Sequence, residues 1–462
     1  LTPGRLFARH ALLPGGWAQD VLLQWDAQGL LTAVTPQATP EDAPRAAGPV
    51  LPGMPNLHSH AFQRAFAGLT EYRGTAHDSF WSWRELMYRF AVRIGPEQLQ
   101  AIATWLYVEM LEAGYTSVCE FHYLHHDEAG RPYADDATLS RALLRAAREA
   151  GLGITLLPVL YQSSGFGGQA PRADQARFIR STDSMLSLLE LLALDAQGLE
   201  AHLGLAPHSL RAVTPDSLHT AVAALHSMAP RAPVHIHIAE QLQEVQDCLA
   251  WSGRRPVQWL LDHAAVDERW CLVHATHLDE DEYRRAAATG AVAGLCPSTE
   301  ANLGDGIFDA ARWQGLGGVW GLGSDSHVCV NAAEELMLLE YSQRLARRER
   351  NVLATPEQPE VASAQWLAAV QGGARAAGRP VAGLRAGQLA DFVELDPRHV
   401  ALDGLAPAQM LSAHVFASQR TSAVAGVWTH GQRRVAHGRH ALHHQAAQAF
   451  IAARKALLNP RD

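Results

Sequence analysis

Lysine is nearly missing from this chain. Lys455 is the only one among 462 residues, and every other permanent cation is an arginine. That excludes a Schiff-base lysine in the body of the protein. It also excludes a carbamylated lysine bridging two metal ions there, so any metal site must be built from His, Asp, Glu or Cys and is read as mononuclear. Cysteine is scarce too. The five cysteines (Cys119, Cys248, Cys271, Cys296, Cys329) are scattered and odd in number, which reads as reduced thiols of a cytoplasmic protein rather than a disulfide framework or a CxxC zinc knuckle. No apolar run approaches the ~20 residues that span a bilayer. There is no basic block, and the net charge is -9, so neither a membrane nor a nucleic acid is an expected partner. The first residues lack the basic-then-apolar pattern of a secretion signal.

What is present is a globular composition, 48% hydrophobic and 18% charged, with enough core for one large domain and a smaller one. Residues 5–35 alternate apolar and polar around Gly15-Gly16 and Gln28-Gly29. They read as short strands that need partners from elsewhere. Similar strands recur at 389–395 and 423–428, so both termini are expected to build one β-sandwich. Between them, near-continuous apolar strands alternate with helical segments. Eight such units imply a parallel sheet closed into a (β/α)8 barrel; an open doubly wound sheet would want a GxGxxG after its first strand, and none is there. The expected organisation is a β-sandwich from residues 1–50 and 385–440, a barrel over 51–384, and a helical tail over 441–462.

A barrel enzyme carries its chemistry at the C-terminal ends of its strands. Here those ends read His58-Ser59-His60, His122-Tyr123, Pro207-His208, His237-Ile238-Ala239-Glu240, His274-Ala275-Thr276-His277 and Ser324-Asp325-Ser326-His327. In an extended strand, residues two apart face one side, so His58 and His60 present paired imidazoles. Three histidines and one aspartate (His58, His60, His237, Asp325) would hold one Zn²⁺ or Fe²⁺ with room for a water, whose pKa the ion would lower. Glu240 lies where its strand turns into a loop and is a proton shuttle candidate. His274 and the carboxylate of Asp325 are further catalytic candidates. Alternatives stay open. His235 faces the same way as His237, His277 competes with His274, and Asp325 could cap the helix after it. The groups His122/His125/His126 and His440/His443/His444 read as solvated loops, and Cys329 as a buried thiol.

The stretch from His60 to about Gly95 is long enough to cover the barrel mouth. It carries Gln63, Arg64, Arg73, Trp81, Trp83, Arg84 and Arg89. Guanidinium pairs bidentately with carboxylate, so arginines there suit an anionic substrate. Arg84, in an aromatic segment, and Arg211, three residues past His208, are the better candidates.

This pattern resembles the mononuclear deaminases of the amidohydrolase superfamily, on His-x-His after the first strand, His-x-x-Glu after the fifth, His after the sixth and Asp after the eighth, with Gly387-Gln388-Leu389-Ala390-Asp391 in the terminal domain. Met54 to Arg64, Phe80 to Tyr88, and Gly323 to His327 with Glu334-Glu335-Leu336 resemble the formimidoylglutamate deiminase subgroup. The resemblance implies Zn²⁺ on His58, His60, His237 and Asp325, with protons handled by Glu240 and His274. It implies an anionic substrate held by Gln63, Arg84, Tyr123, His208 and Arg211. It also implies a homodimer and the conversion of N-formimino-L-glutamate to N-formyl-L-glutamate and ammonia in histidine degradation. A sister deaminase acting on a purine or pyrimidine ring, or on another amidine, would share every metal residue.

Overall fold

The computed structural model describes residues 3–71, 80–196, 201–418 and 421–459. Eight parallel strands form the central sheet. They are β1 (Met54–Ser59), β2 (Tyr115–His122), β3 (Gly153–Leu160), β4 (Ala201–Leu203, resuming at Ala206–Pro207), β5 (Val234–Ile238), β6 (Trp270–His274), β7 (Val292–Leu295) and β8 (Val319–Leu322). Sequential neighbours pair in parallel, β8 returns to β1 at Leu322 and Asn56, and a bridge between Leu205 and Val234 joins β4 to β5. The sheet is therefore closed. Strands β1, β2, β3, β5, β6 and β7 are buried along their whole length, as expected of strands covered on both faces.

The apolar run at 199–208 reads as one strand in the sequence, but β4 is broken in two. It is interrupted at Gly204, whose added Cβ would lie 2.5 Å from the Pro233 carbonyl oxygen. Only glycine lets the two backbones approach this closely. Residues 199 and 200 lie outside the described residues. A second correction concerns β7. The apolar run reads as a strand to Ser298, but the strand stops at Leu295 and Pro297 opens a helix over Pro297–Leu303. Proline at the first helical position loses no hydrogen bond and presets φ.

Helices follow the strands as expected. Thr214 caps the helix Pro215–Met228 by accepting from the Ser217 amide at 3.4 Å. Leu242–Ser252 and Pro256–His263 follow β5, and Ala332–Arg347 follows β8.

The terminal strands build one eight-stranded sheet in the order 439–440, 432–436, 424–429, 392–395, 50–52, 4–13, 16–25, 31–35. Trp25 and Phe392 stand three strands apart in that order, which on a flat sheet is ~14 Å. Their ring centroids are 5.9 Å apart, so the sheet wraps upon itself. A bridge between Leu30 and Leu389 seals the fold. The interior so formed is a separate apolar cluster of Leu6, Val21, Leu23, Trp25, Phe392 and Trp428. The chain passes from this sheet to β1 through Gly53 alone. The C-terminal helix His443–Leu458 lies on Pro96–Glu112, with the Trp105 ring against His443 and Phe450.

Candidate active site

The strand ends meet in one cleft. The backbone after β8 is stitched to β1, with the Asp325 amide donating to the His58 carbonyl at 3.0 Å and the His60 amide to the Asp325 carbonyl at 3.2 Å. Asp325 Oδ1 then lies 3.5 Å from His58 Nε2 and 3.4 Å from His60 Nε2. His237 Nε2 reaches to 3.0 Å from His58 Nε2. Several residues that turn the chain here have left-handed backbones without being glycine: Ala239 (φ 52°), His274 (φ 66°), Ala275 (φ 48°) and Asp325 (φ 44°). Such conformations cost on the order of 1–3 kcal/mol each and persist where the surrounding structure enforces them.

The donor set fits a divalent ion. His60 Nδ1 donates to the Phe121 carbonyl at 2.9 Å and His237 Nδ1 to the His208 carbonyl at 3.2 Å. A carbonyl can only accept, so each neutral ring keeps its lone pair on the inward Nε2. Burial holds the rings neutral. It pushes His60 down to about 3 against the pull of its Phe121 bond, and it puts His58 and His237 well below the ordinary imidazole range, helped by the neighbouring histidines. Neutral imidazoles and one carboxylate around a point shielded from water are the ligands a zinc-like cation takes.

The open alternatives separate by height in the barrel. His235 Nε2 donates to the Ala376 carbonyl at 2.8 Å and lies below the cluster. His277 turns outward to the Asp305 carbonyl at 2.9 Å, while His274 points inward. Asp325 does not cap the next helix; Asn331 does, accepting from the Ala333 amide at 2.9 Å.

His274 sits among carboxylates. Its Nε2 lies 3.8 Å from Glu240 Oε1 and 3.6 Å from Asp325 Oδ2, and its Nδ1 lies 3.2 Å from Glu300 Oε1. Burial works against its charge, but Glu240, Glu300 and Asp325 together raise its pKa to about 10. Burial raises Asp325 to about 7, with His274 opposing.

Beside this cluster lies a narrow cleft. It is lined by Gln63, Arg84, Tyr123, His208 and Arg211 together with His60, His237, Glu240, His274 and Asp325. Gln63 Nε2 donates to the Tyr123 hydroxyl at 3.0 Å. The His208 ring lies 4.5 Å from that of Tyr161 and shares a 3.0 Å hydrogen bond with Ser209. Arg211 is buried; burial disfavours its charge, but Glu244, Tyr161 and Glu240 outweigh that and raise its pKa. Arg84, half-buried on the helix Phe80–Ala91, lies 5.6 Å from the Tyr88 ring. Arg64 is instead clamped by both oxygens of Glu109. Arg73 and the side chains of Trp81 and Arg89 lie outside the described residues.

Three readings change. His122, His125 and His126 are buried rather than solvated, because the segment at Arg177 closes over them and its carbonyl accepts from the His125 and His126 amides. His440 is buried as well, its Nε2 on the Ala150 carbonyl at 2.9 Å. Cys329 is half-buried, its thiol 3.3 Å from Glu334 Oε2. Sequence reasoning also missed Glu300, Asp305, Tyr88 and Tyr161. The signal for Glu300 was Cys296-Pro297-Ser298-Thr299-Glu300, a proline-led helix start placed directly after a barrel strand.

Comparison with known proteins agrees with this geometry. Residues 50–434 match the sequence profile of the amidohydrolase family. A formimidoylglutamate deiminase from Pseudomonas aeruginosa is 52% identical over 450 residues, covering 96% of this chain and 98% of that protein. The crystal structure of an amidohydrolase from Brucella melitensis superposes with a TM-score of 0.92 at 48% identity, covering 99% of this chain and all of that one (100%). An adenosine deaminase from Xanthomonas campestris, crystallised with bound zinc, shares the fold at a TM-score of 0.78 and 21% identity over 98% of each chain. A closed barrel with a histidine- and aspartate-lined mouth, matched over most of its length by that profile and by relatives this similar, is a member of the amidohydrolase family.

Proposed function

We propose that this protein hydrolyses N-formimino-L-glutamate to N-formyl-L-glutamate and ammonia, with one zinc ion held by His58, His60, His237 and Asp325. One observation carries the reading: two arginines, Arg84 and Arg211, line the same cleft as the histidine–aspartate cluster and Glu240. A substrate that carries an amidine beside one carboxylate and a second carboxylate two methylenes away needs both chemistries within one small cavity. The 52% identity to a formimidoylglutamate deiminase supports it.

A divalent ion in that donor set would acidify a water and draw electrons from the formimino carbon. The protein's own groups do the rest. Arg84 and Arg211 pair with the substrate carboxylates and fix the reach of the formimino carbon into the cleft. Gln63, Tyr123 and His208 fill the span between. Water oxygen bonds to the formimino carbon, and Glu240 Oε1 takes one of its protons and delivers it to the departing nitrogen. Asp325, beside His274, takes the second proton as the new carbonyl forms. That proton also passes to the departing nitrogen, completing it as NH3, and the C–N bond breaks as ammonia leaves.

The test is ammonia release by the zinc-loaded protein from N-formimino-L-glutamate, beside guanine, cytosine and adenosine at equal concentration. Rapid release from formiminoglutamate alone is expected. Release only from a ring compound would overturn the dicarboxylate assignment, and silence on all four with metal bound would overturn the reaction.

A further inference from the structure

Glu240, His274 and Asp305 form a second group of potential ligands beside the first. One ligating atom from each lies within 4.8 Å of the other two, and all three residues are buried. Asp305 comes from the loop that follows the helix Pro297–Leu303, a segment with no part in the steps above. Its backbone is fixed on both sides, since its amide donates to the Glu300 carbonyl at 2.9 Å and its carbonyl meets His277 Nε2 at 2.9 Å. One carboxylate oxygen, Oδ1, accepts from Gln241 Nε2. The other, Oδ2, is shielded from water and has no hydrogen-bond partner among the described residues.

A buried carboxylate oxygen without a donor is costly. Here it is costlier because a second carboxylate, Glu240, is close by, and burial together with Glu240 pushes Asp305 up to about 9. Two things relieve such a pair, a proton or a cation. The third member of the group brings a nitrogen to the same point, which an incoming cation reaches by displacing the proton that the surrounding carboxylates hold there. When His274 is neutral and its Nδ1–H is given to Glu300, its Nε2 offers a lone pair on the side where Glu240 Oε1 stands at 3.8 Å. Two carboxylates and one imidazole are a donor set that borderline divalent ions take readily.

The geometry points to a second divalent-cation site at Glu240, His274 and Asp305, whose occupancy by zinc in excess inhibits the enzyme. Inhibition follows from who the ligands are. One of the three, Glu240, takes the first proton of the attacking water through Oε1, the oxygen that faces His274, and that oxygen cannot hold a cation and accept the proton at once. The second ion binds more weakly than the first. His274 Nε2 is only 3.6 Å from Asp325 Oδ2, so the two ions would sit close enough to repel each other. The inhibition half of the inference rests on the proposed reaction, whereas the site itself does not.

The test is therefore a count of ions before it is an assay. The full-length protein is dialysed to equilibrium against rising free Zn²⁺ and its bound zinc measured. Two equivalents are expected, the second at least tenfold weaker. Asp305→Asn, which keeps an oxygen for Gln241, should hold one equivalent, and Glu240→Gln should likewise hold one. Ammonia release by the native protein should fall as the second equivalent fills, and Asp305→Asn should resist the same zinc. A single equivalent up to ~1 mM Zn²⁺ would overturn the site, as would two equivalents in both variants. Asp305→Ser provides a smaller replacement should the asparagine variant fail to fold, and it must lose the second ion too. Two equivalents with no loss of activity would leave the site standing and overturn its inhibitory role.

Discussion

Arg211 allows the substrate assignment to be tested quantitatively. Its guanidinium is buried at the cleft wall near Glu244 and Glu240, so it reaches the cleft as a fixed charge with little side-chain freedom left to lose on binding. A charge-assisted hydrogen bond of this kind contributes about 1.5–3 kcal/mol, and each ~1.4 kcal/mol is tenfold in kcat/KM. Arg211→Met should therefore lower kcat/KM for N-formimino-L-glutamate by roughly 10- to 150-fold. Loss alone would not prove a carboxylate contact, because the substitution also leaves Glu244 without its neighbour. The decisive assay is a cycle between protein and substrate. N-formimino-4-aminobutyrate lacks the α-carboxylate, and N-formimino-2-aminobutyrate lacks the side-chain carboxylate. If Arg211 pairs with one of them, removing that carboxylate from the substrate should make the native and variant enzymes equally slow, while the other analogue should still tell them apart. An equal fold-loss on all three substrates would refute the pairing and reduce Arg211 to a structural partner of Glu244.

Four further outcomes are expected. Glu240→Gln should retain one tightly bound ion, measured by metal analysis, yet lose ammonia release; loss of that ion would make Glu240 a ligand. Glu300→Ala removes the acceptor at His274 Nδ1 and should lower kcat by about 10- to 100-fold with little change in KM, while Glu300→Gln keeps an acceptor and recovers most of it; the two variants behaving alike would remove Glu300 from the positioning of His274. Glu335 is fully buried, and burial raises its carboxyl to about 8 although Ser298 donates to it twice. The folded state thus holds a proton that the unfolded state releases above ~4.5, so this residue makes stability fall as pH rises from about 5 to 8. Glu335→Gln should flatten that fall by a few kcal/mol, read from denaturant midpoints at pH 5 and 9. Gly372, in the helix Val361–Ala377, has no room for a side chain, since a Cβ would lie 1.8 Å from the Trp320 carbonyl oxygen. Gly372→Ala should destabilise by about 3 kcal/mol or more, checked by thermal unfolding.

The sequence carried the parts of this architecture that depend on local pattern. His58 and His60 could be read as a pair because an extended strand repeats every two residues, and the barrel because apolar strands and helices alternate. Thr214-Pro215 announced its helix by cap and first-turn chemistry. What stayed hidden depends on height and on contacts distant in sequence. His235 and His237 are indistinguishable by spacing, and only the carbonyl of Ala376 on a far helix shows that His235 lies below the site. Glu300 meets His274 across 26 residues because the chain after β7 folds back over the end of β6, and no periodicity encodes that. The buried His122, His125 and His126 were misread for the same reason, as their cover arrives from Arg177, some fifty residues on.

Phe121 underlies the cluster. Its ring centroid lies 5.0 Å from that of His58, 5.2 Å from His60 and 4.3 Å from His237. A benzene ring against the backs of three imidazoles closes the barrel interior beneath them to ions and chelators alike, since neither crosses packed hydrocarbon. Every exchange at these nitrogens must use the cleft mouth, the same passage the substrate takes. Traffic of metal and traffic of substrate are then mutually exclusive: a chelator should strip the resting enzyme faster than the enzyme at saturating substrate, and the protection should follow the substrate's own occupancy.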